Sequence, residues 1–232
     1  APGRSLPLLA LVTSFLAYVR ELVLHRSNLL VSPAQPLEAM VATPANANSN
    51  QRFITMEAFR QAGFEVLEVM NEPSAAAVEF VHRYLRNLGP KSPKQYVVVY
   101  DLGGGTFDTS VVGFAGRTYE VIAHAGLNRA GGDDFDEVIL ELALEKAGIP
   151  GDSLDRQHRT RLLEECRARK EGLSPNTRKI VVDLHGITPG EGTVVLPTDE
   201  LYARCGDLVD RTITCVDDVI QALARIGIDP ED

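Results

Sequence analysis

Eight consecutive residues carry the strongest chemical signal in this 232-residue chain: Asp101-Leu102-Gly103-Gly104-Gly105-Thr106-Phe107-Asp108. A near-continuous apolar run, Gln95 to Asp101, reads as a buried strand that delivers the first carboxylate. Three glycines, a hydroxyl and a second carboxylate follow. Glycines let backbone N–H groups approach an anion closely, because no Cβ stands in the way. Carboxylates beside a polyphosphate repel it unless a divalent cation lies between them. Mg²⁺ keeps several waters and takes few protein carboxylates, so Asp101 and Asp108 fit water-mediated magnesium contacts at a phosphate-binding turn. The plain alternative is a glycine-rich hairpin with exposed aspartates. The complete octet at a strand–turn–strand junction favours phosphate. It is neither a Walker loop nor a dinucleotide fingerprint, since no Gly-Lys-Ser/Thr follows and the next element is a strand rather than a helix.

Other chemistry-bearing residues say less by themselves. Arg167, Lys170, Glu171 and Ser174 recur at i, i+3, i+4 and i+7, the spacing of one helix face, and a solvated face is the ordinary reading of such charges. Cys166, Cys205 and Cys215 are odd in number and lack C-x-x-C spacing. With the five histidines scattered, no zinc site is indicated. The cysteines read as small buried thiols of a reducing compartment, and a cytoplasmic protein is expected.

The elements that must position these residues follow from periodicity and breakers. Leu9, Val12, Leu16, Val19 and Val23 predict an amphipathic helix. The apolar run Leu6 to Val19 around them is expected to be too short for a membrane span and lacks a signal-peptide cleavage site. Strands are predicted at Leu37 to Thr43 and Phe64 to Met70, with helices at Gln51 to Ala62 and Glu72 to about Leu88. That alternation implies a parallel sheet covered by helices. Gln95 to Asp101, Thr106 to Phe114 and Thr118 to Ala125 then read as an antiparallel meander. Helices at Asp133 to Ala147 and Asp155 to Gly172 follow, then β segments Arg178 to Leu184 and Thr193 to Leu196 around a Pro189-Gly190 turn. A helix over Asp199 to Ile226 closes the order. Composition suits this α/β reading, with 44% apolar and 24% charged residues. A formal charge of −9 argues against nucleic acid as the partner, because phosphate-backbone binding needs clustered positive charge.

Four motifs resemble one family. DLGGGTFD resembles the second phosphate motif of the actin-like ATPases. Asn71-Glu72-Pro73-Ser74-Ala75-Ala76-Ala77 resembles the NEPTAAA segment of the DnaK-type, seventy-kilodalton heat-shock chaperones. Ala42-Thr43-Pro44-Ala45 with Gln51-Arg52, and Gly131-Gly132-Asp133-Asp134-Phe135-Asp136, resemble two more of their motifs, in the same order.

The resemblance implies an α/β, actin-like (ribonuclease-H-like) ATPase fold in part. Residues 1–90 would belong to a first lobe, 91–130 would begin a second lobe, and 131–232 would form a helical upper subdomain with a small sheet. It implies that Gly103, Gly104, Gly105 and Thr106 hold ATP or ADP phosphates and that Asp101 and Glu72 hold the Mg²⁺ hydration shell. Asp108 would orient the attacking water, making Asp101, Thr106 and Asp108 the catalytic group. Gly132, Lys170 and Ser174 would complete the nucleotide site, the last two on an adenosine-clasping face. Arg167 and Glu171 there carry charges opposite to the family pattern, as a swapped pair able to bridge each other would.

The resemblance also implies that a first phosphate hairpin, an adenosine loop and a peptide-binding domain lie outside this segment, so the segment alone is expected to be inactive. In the complete protein ATP binding would be coupled to unfolded polypeptide clients, J-domain co-chaperones and exchange factors, with neither nucleic acid nor membrane as partner. A non-catalytic actin-fold platform, or another actin-fold phosphotransferase, is the alternative.

Overall fold

The computed structural model describes residues 6–32, 35–84, 95–115, 118–185 and 192–229. The expected breaks at Gly89-Pro90, Lys91 to Lys94 and Pro189-Gly190 lie outside the described residues. Helices and sheets mix along the chain as the element order anticipated. Two compact units emerge, one of Ala1–Val97 with Val112–Val121, the other of Val98–Val111 with Ile122–Asp232.

The first unit holds α1 (Leu8–Arg26), β1 (Leu37–Thr43), α2 (Ser49–Gln61), β2 (Phe64–Asn71) and α3 (Glu72–Tyr84). β1 and β2 pair in parallel from Leu37↔Phe64 to Thr43↔Asn71, with an irregularity after Ala39. The connection is a helix because parallel neighbours need a long crossover. Asn48 and Gln51 cap the start of α2 reciprocally. Gly63 at φ +88 ends it in the left-handed region that favours glycine.

Leu9, Val12 and Leu16 of α1 pack with Ala58 and Phe59 of α2 and Ala62 just after it, as their periodicity required. The apolar run, however, continues beyond Arg20 and Glu21 to a 19-residue helix with mean hydropathy 1.5. By length and composition it could cross a membrane, so the expectation that it is too short does not hold. Leu8, Leu11, Phe15 and Tyr18 form a second, exposed apolar stripe.

Arg52 ties the ends of β1 and β2 together. Its Nη1 donates to Thr43 Oγ1 at 2.8 Å and its Nη2 to Asn71 Oδ1 at 2.7 Å, while Nε reaches the Ala47 carbonyl at 3.1 Å. A planar guanidinium suits this many-sided task because its donors are held in a fixed fork. The residue just before Glu72 is thereby anchored.

β3 (Gln95–Leu102), β4 (Thr106–Ala115) and β5 (Thr118–Asn128) form one sheet in that order. Connections of three and two residues oblige them to run antiparallel. Here one sequence expectation is corrected. β3 is an edge strand and mostly exposed, with Tyr96, Val98, Tyr100 and Leu102 open on alternate positions. The buried central strand is β4, whose Phe107, Val111, Val112 and Phe114 are sealed. Apolar content reports that a strand has something to cover, whereas sheet order is set by pairing on both sides.

Wholly within the second unit are α4 (Gly132–Ala147), α5 (Arg156–Glu171), β6 (Lys179–Asp183), β7 (Thr193–Pro197) and α6 (Thr198–Arg225). β6 and β7 pair antiparallel, Lys179↔Pro197 to Asp183↔Thr193. Ile139, Leu140, Leu162, Cys166, Val182, Leu196 and Leu201 fill the core between them and the helices. The 28-residue α6 buries Leu201, Cys205, Thr212, Cys215, Val219 and Leu223 along one stripe. In this way it serves both that core and the cluster of Phe107, Ala130 and Cys215 under the sheet. All three cysteines are buried free thiols. Burial pushes Cys166 up to about 12, so it is a packing group rather than a nucleophile.

Candidate functional site

The glycine turn between β3 and β4 is closed by Gly103 N–H donating to the Thr106 carbonyl at 2.9 Å. Its three glycine carbonyls are all taken by the segment entering α4. Arg129 N–H donates to Gly105 O at 3.1 Å, Gly132 N–H to Gly103 O at 2.9 Å and Asp133 N–H to Gly104 O at 2.7 Å. A trans peptide sets each carbonyl opposite the following N–H. The amides of Gly104 and Gly105 therefore point opposite to the Gly103 and Gly104 carbonyls that the α4 entry holds. A Cβ built on Gly104 or Gly105 would meet nothing nearer than an Asp133 carboxylate oxygen at 4.0 Å. The result is a small backbone cradle, with its carbonyls occupied, the Gly104 and Gly105 N–H groups turned outward and open space at both Cβ positions, the kind of turn that takes anions.

Gly131 makes this docking possible. A Cβ there would lie 2.5 Å from Gly104 O and 2.7 Å from Gly105 N. Its φ of −143 is ordinary extended backbone, so glycine is needed for space and not for conformation. The expectation singled out Gly132, whose N–H holds Gly103 O; Gly131 is the position where an added Cβ would collide with the turn. Consecutive glycines before an acidic helix start were the available signal. Gly126 has a comparable role, since a Cβ on it would lie 2.7 Å from Asp108 Oδ1.

Asp101 is exposed at the end of the edge strand, not delivered by a buried one. Asp108 is half-buried on β4. Desolvation raises its carboxyl above the ordinary value of 3.8, and the charge of Asp101 adds to the rise. His124 and a hydrogen bond with Thr106 pull it back. A cation would relieve the repulsion that the Asp101 charge imposes on an ionised Asp108. Among the described residues no three His, Cys, Asp or Glu side chains gather as a metal cage. A pair of acids beside a backbone cradle of this kind has the chemistry that suits Mg²⁺, which draws most of its shell from water and few protein carboxylates. Glu72 opens α3 in the other unit.

The raised carboxyl has a thermodynamic sign. The folded state binds this proton more tightly than the unfolded one, so Asp108 opposes folding above its raised pKa. That penalty disappears as pH falls through the raised value toward 3.8. Asp108→Asn is expected to raise the melting temperature at neutral pH and to lose part of the parent's gain on mild acidification. Thermal melts across pH check this, and a variant melting below the parent at neutral pH would contradict it.

Behind the cradle lies an ion-pair group. Asp136 is 2% exposed; its Oδ1 is ion-paired with Lys170 Nζ at 2.6 Å without a hydrogen bond, and its Oδ2 accepts from Arg167 Nε at 3.3 Å. Lys170 Nζ also donates to the Gly132 carbonyl, and Arg167 Nη2 donates to Asp133. Lys170 is thus engaged in holding the start of α4. The expected Arg167–Glu171 bridge is not formed, because Arg167 turns to α4 and Glu171 makes no ion pair among the described residues. Ser174 does not share the helix face either. α5 ends at Glu171, and Ser174 sits in a turn where its N–H and hydroxyl meet Thr177 Oγ1, each at 3.0 Å.

With this geometry in place, the comparisons with known proteins are direct. The model of the family described as Hsp70 protein matches residues 30–229. A relative named chaperone protein HscA homolog, from Laribacter hongkongensis, is 38% identical over 200 residues, covering 82% of this chain and 29% of the relative. A chaperone protein dnaK of Emiliania huxleyi is 35% identical over 192 residues, covering 79% of this chain and 30% of its own length. A heat shock cognate HSP70 protein of Trypanosoma brucei brucei is 35% identical over 192 residues, covering 77% and 28%. The chain belongs to the Hsp70 family. It spans about three tenths of the length of the curated relatives it matches.

Proposed function

We propose that this chain is the central segment of the nucleotide-binding, actin-like ATPase domain of a DnaK-type chaperone. The carrying observation is the cradle. The turn carbonyls are held by the α4 entry, and the Gly104 and Gly105 amides are left for an anionic oxygen. In this reading those amides and the Thr106 hydroxyl bind nucleotide phosphates. Asp101 and Asp108 hold the water shell of Mg²⁺, with Glu72 assigned to it on its motif alone. Mg²⁺ held by these residues would supply neutralising charge to the phosphate oxygens.

Asp108, whose proton affinity is raised, is suited to accept a hydrogen bond from the attacking water. Phosphoryl transfer then depends on positioning and charge stabilisation. Gly132 serves by holding the turn, and Lys170 by seating Gly132. In the longer protein, ATP would be coupled to client polypeptide, co-chaperones and exchange factors in the cytoplasm, and that coupling is reciprocal. The segment alone is expected to bind ATP at about 1 mM or more weakly, equivalent to about 4 kcal/mol, and not to turn it over.

The test is Gly104→Val. The open space at Gly104 means the substitution is expected to fold like the parent while its branched side chain fills the anion's approach. A Mg-ADP-induced rise in melting temperature should be seen in the parent and lost in the variant. Equal rises in both would return the turn to an ordinary hairpin.

A further inference from the structure

Arg167 is placed for more than a structural ion pair. Its side chain is 54% exposed, unlike the sealed Asp136 it touches. Nε rests on Asp136 Oδ2 at 3.3 Å while Nη2 is held by Asp133. Asp133 is the very carboxylate that lies 4.0 Å from the Cβ positions of Gly104 and Gly105. The guanidinium therefore stands one carboxylate away from the anion cradle. Lys170, occupied by Asp136 and the Gly132 carbonyl, fixes the geometry behind it.

The charges decide what such an arrangement admits. Asp101, Asp108 and Asp133 all surround the turn, and an anion arriving among three carboxylates is repelled. Asp136 is matched by Lys170. Arg129 adjoins the turn through its backbone, and Arg167 is the cation ion-paired to the carboxylate beside it, Asp133, which is itself exposed, 59% open. An exposed ion pair is worth little, whereas a guanidinium fork on a phosphate is a strong, charge-assisted contact. Exchange of one partner for the other is therefore favourable once a polyphosphate is seated.

We propose that Arg167 is a phosphate-recognition residue of this chain. On the reading of the glycine turn as a phosphate cradle, the guanidinium releases Asp133 and takes a phosphate oxygen, pivoting on its Nε contact with buried Asp136. Asp133 is then the internal competitor that occupies the fork when no ligand is bound. Affinity follows the phosphate chain of the ligand, a nucleoside diphosphate, a nucleoside triphosphate or inorganic polyphosphate, more than its base or sugar.

The experiment titrates the full chain with ADP, inorganic tripolyphosphate and adenosine at millimolar concentrations, followed by NMR shifts. Arg167→Gln is expected to weaken ADP and tripolyphosphate by about tenfold each and to leave adenosine unchanged. Arg167→Lys, which keeps the charge without the fork, is expected to recover part of the loss. Asp133→Asn is expected to strengthen both phosphate ligands. Melting curves establish that each variant is folded, and the lysine variant serves where glutamine destabilises.

Arg167→Gln binding tripolyphosphate like the parent, while Gly104→Val abolishes binding, would overturn the role of Arg167 and leave the cradle standing. An equal loss for adenosine would also overturn it, by placing Arg167 on the sugar or base. Parent and Gly104→Val responding alike, or neither responding, would overturn the cradle itself and the inference with it.

Discussion

Gly131→Ala is expected to lower the melting temperature of the second unit by roughly 3–10 °C, the equivalent of about 1–3 kcal/mol of overpacking. The new methyl would lie 2.5 Å from Gly104 O and 2.6 Å from Gly104 C. Both are backbone atoms, with no flexible side chain to yield. Relief requires the turn and the start of α4 to separate, which breaks the bonds from Gly132 N–H to Gly103 O and from Asp133 N–H to Gly104 O. The amides of Gly104 and Gly105 then lose their fixed direction, so nucleotide binding is expected to fall with stability. Gly132→Ala is the control: its methyl would meet first Lys170 Nζ at 3.1 Å, the movable end of a long side chain. Alanine at both positions being tolerated equally would show that the two segments are not locked together.

Asp101→Asn is expected to have the largest effect on chemistry with almost none on folding. The residue is exposed, and its charge raises the Asp108 carboxyl, so removing it relieves a repulsion while keeping volume. In this chain, ADP affinity should cease to depend on Mg²⁺. In a version extended by the segments that the longer relatives carry, steady ATP turnover should fall roughly 100-fold, about 2.7 kcal/mol in the barrier. Calorimetric titration with and without Mg²⁺, and single-turnover assays, give the two readings. Unchanged turnover in the asparagine variant would falsify the assignment of Asp101 to the cation.

The positions where sequence and structure part company share a cause. β3 was expected to be buried because its residues are apolar, yet Tyr96, Val98, Tyr100 and Leu102 remain open. Strand composition does not say which strands lie on either side. Arg167 and Glu171 are neighbours on a helical wheel, but Arg167 is drawn to Asp133 and Asp136, 34 and 31 residues away. Ser174 was placed on the helix face by counting, and Gly172 ends the helix before the count completes. The apolar run was bounded at Val19, whereas α1 carries on through Arg20 and Glu21 to Arg26, because charged side chains at the surface do not end a helix.

What the sequence determined by itself was local: the glycine turn, the two flanking acids, the Asn48 and Gly63 helix ends and the order of strands and helices. Such features depend on backbone freedom, capping and periodicity over a few residues, and they are legible wherever those residues stand together. The family was legible for the same reason, since its motifs are short and ordered along the chain. Tertiary structure alone decided which carbonyls of the turn are occupied and why Gly131 must lack a side chain. It also decided where Arg167, Lys170 and Arg52 spend their hydrogen bonds. These outcomes depend on contacts between segments tens of residues apart, where a shift of one ångström turns a hydrogen bond into a collision, and no local pattern encodes that distance.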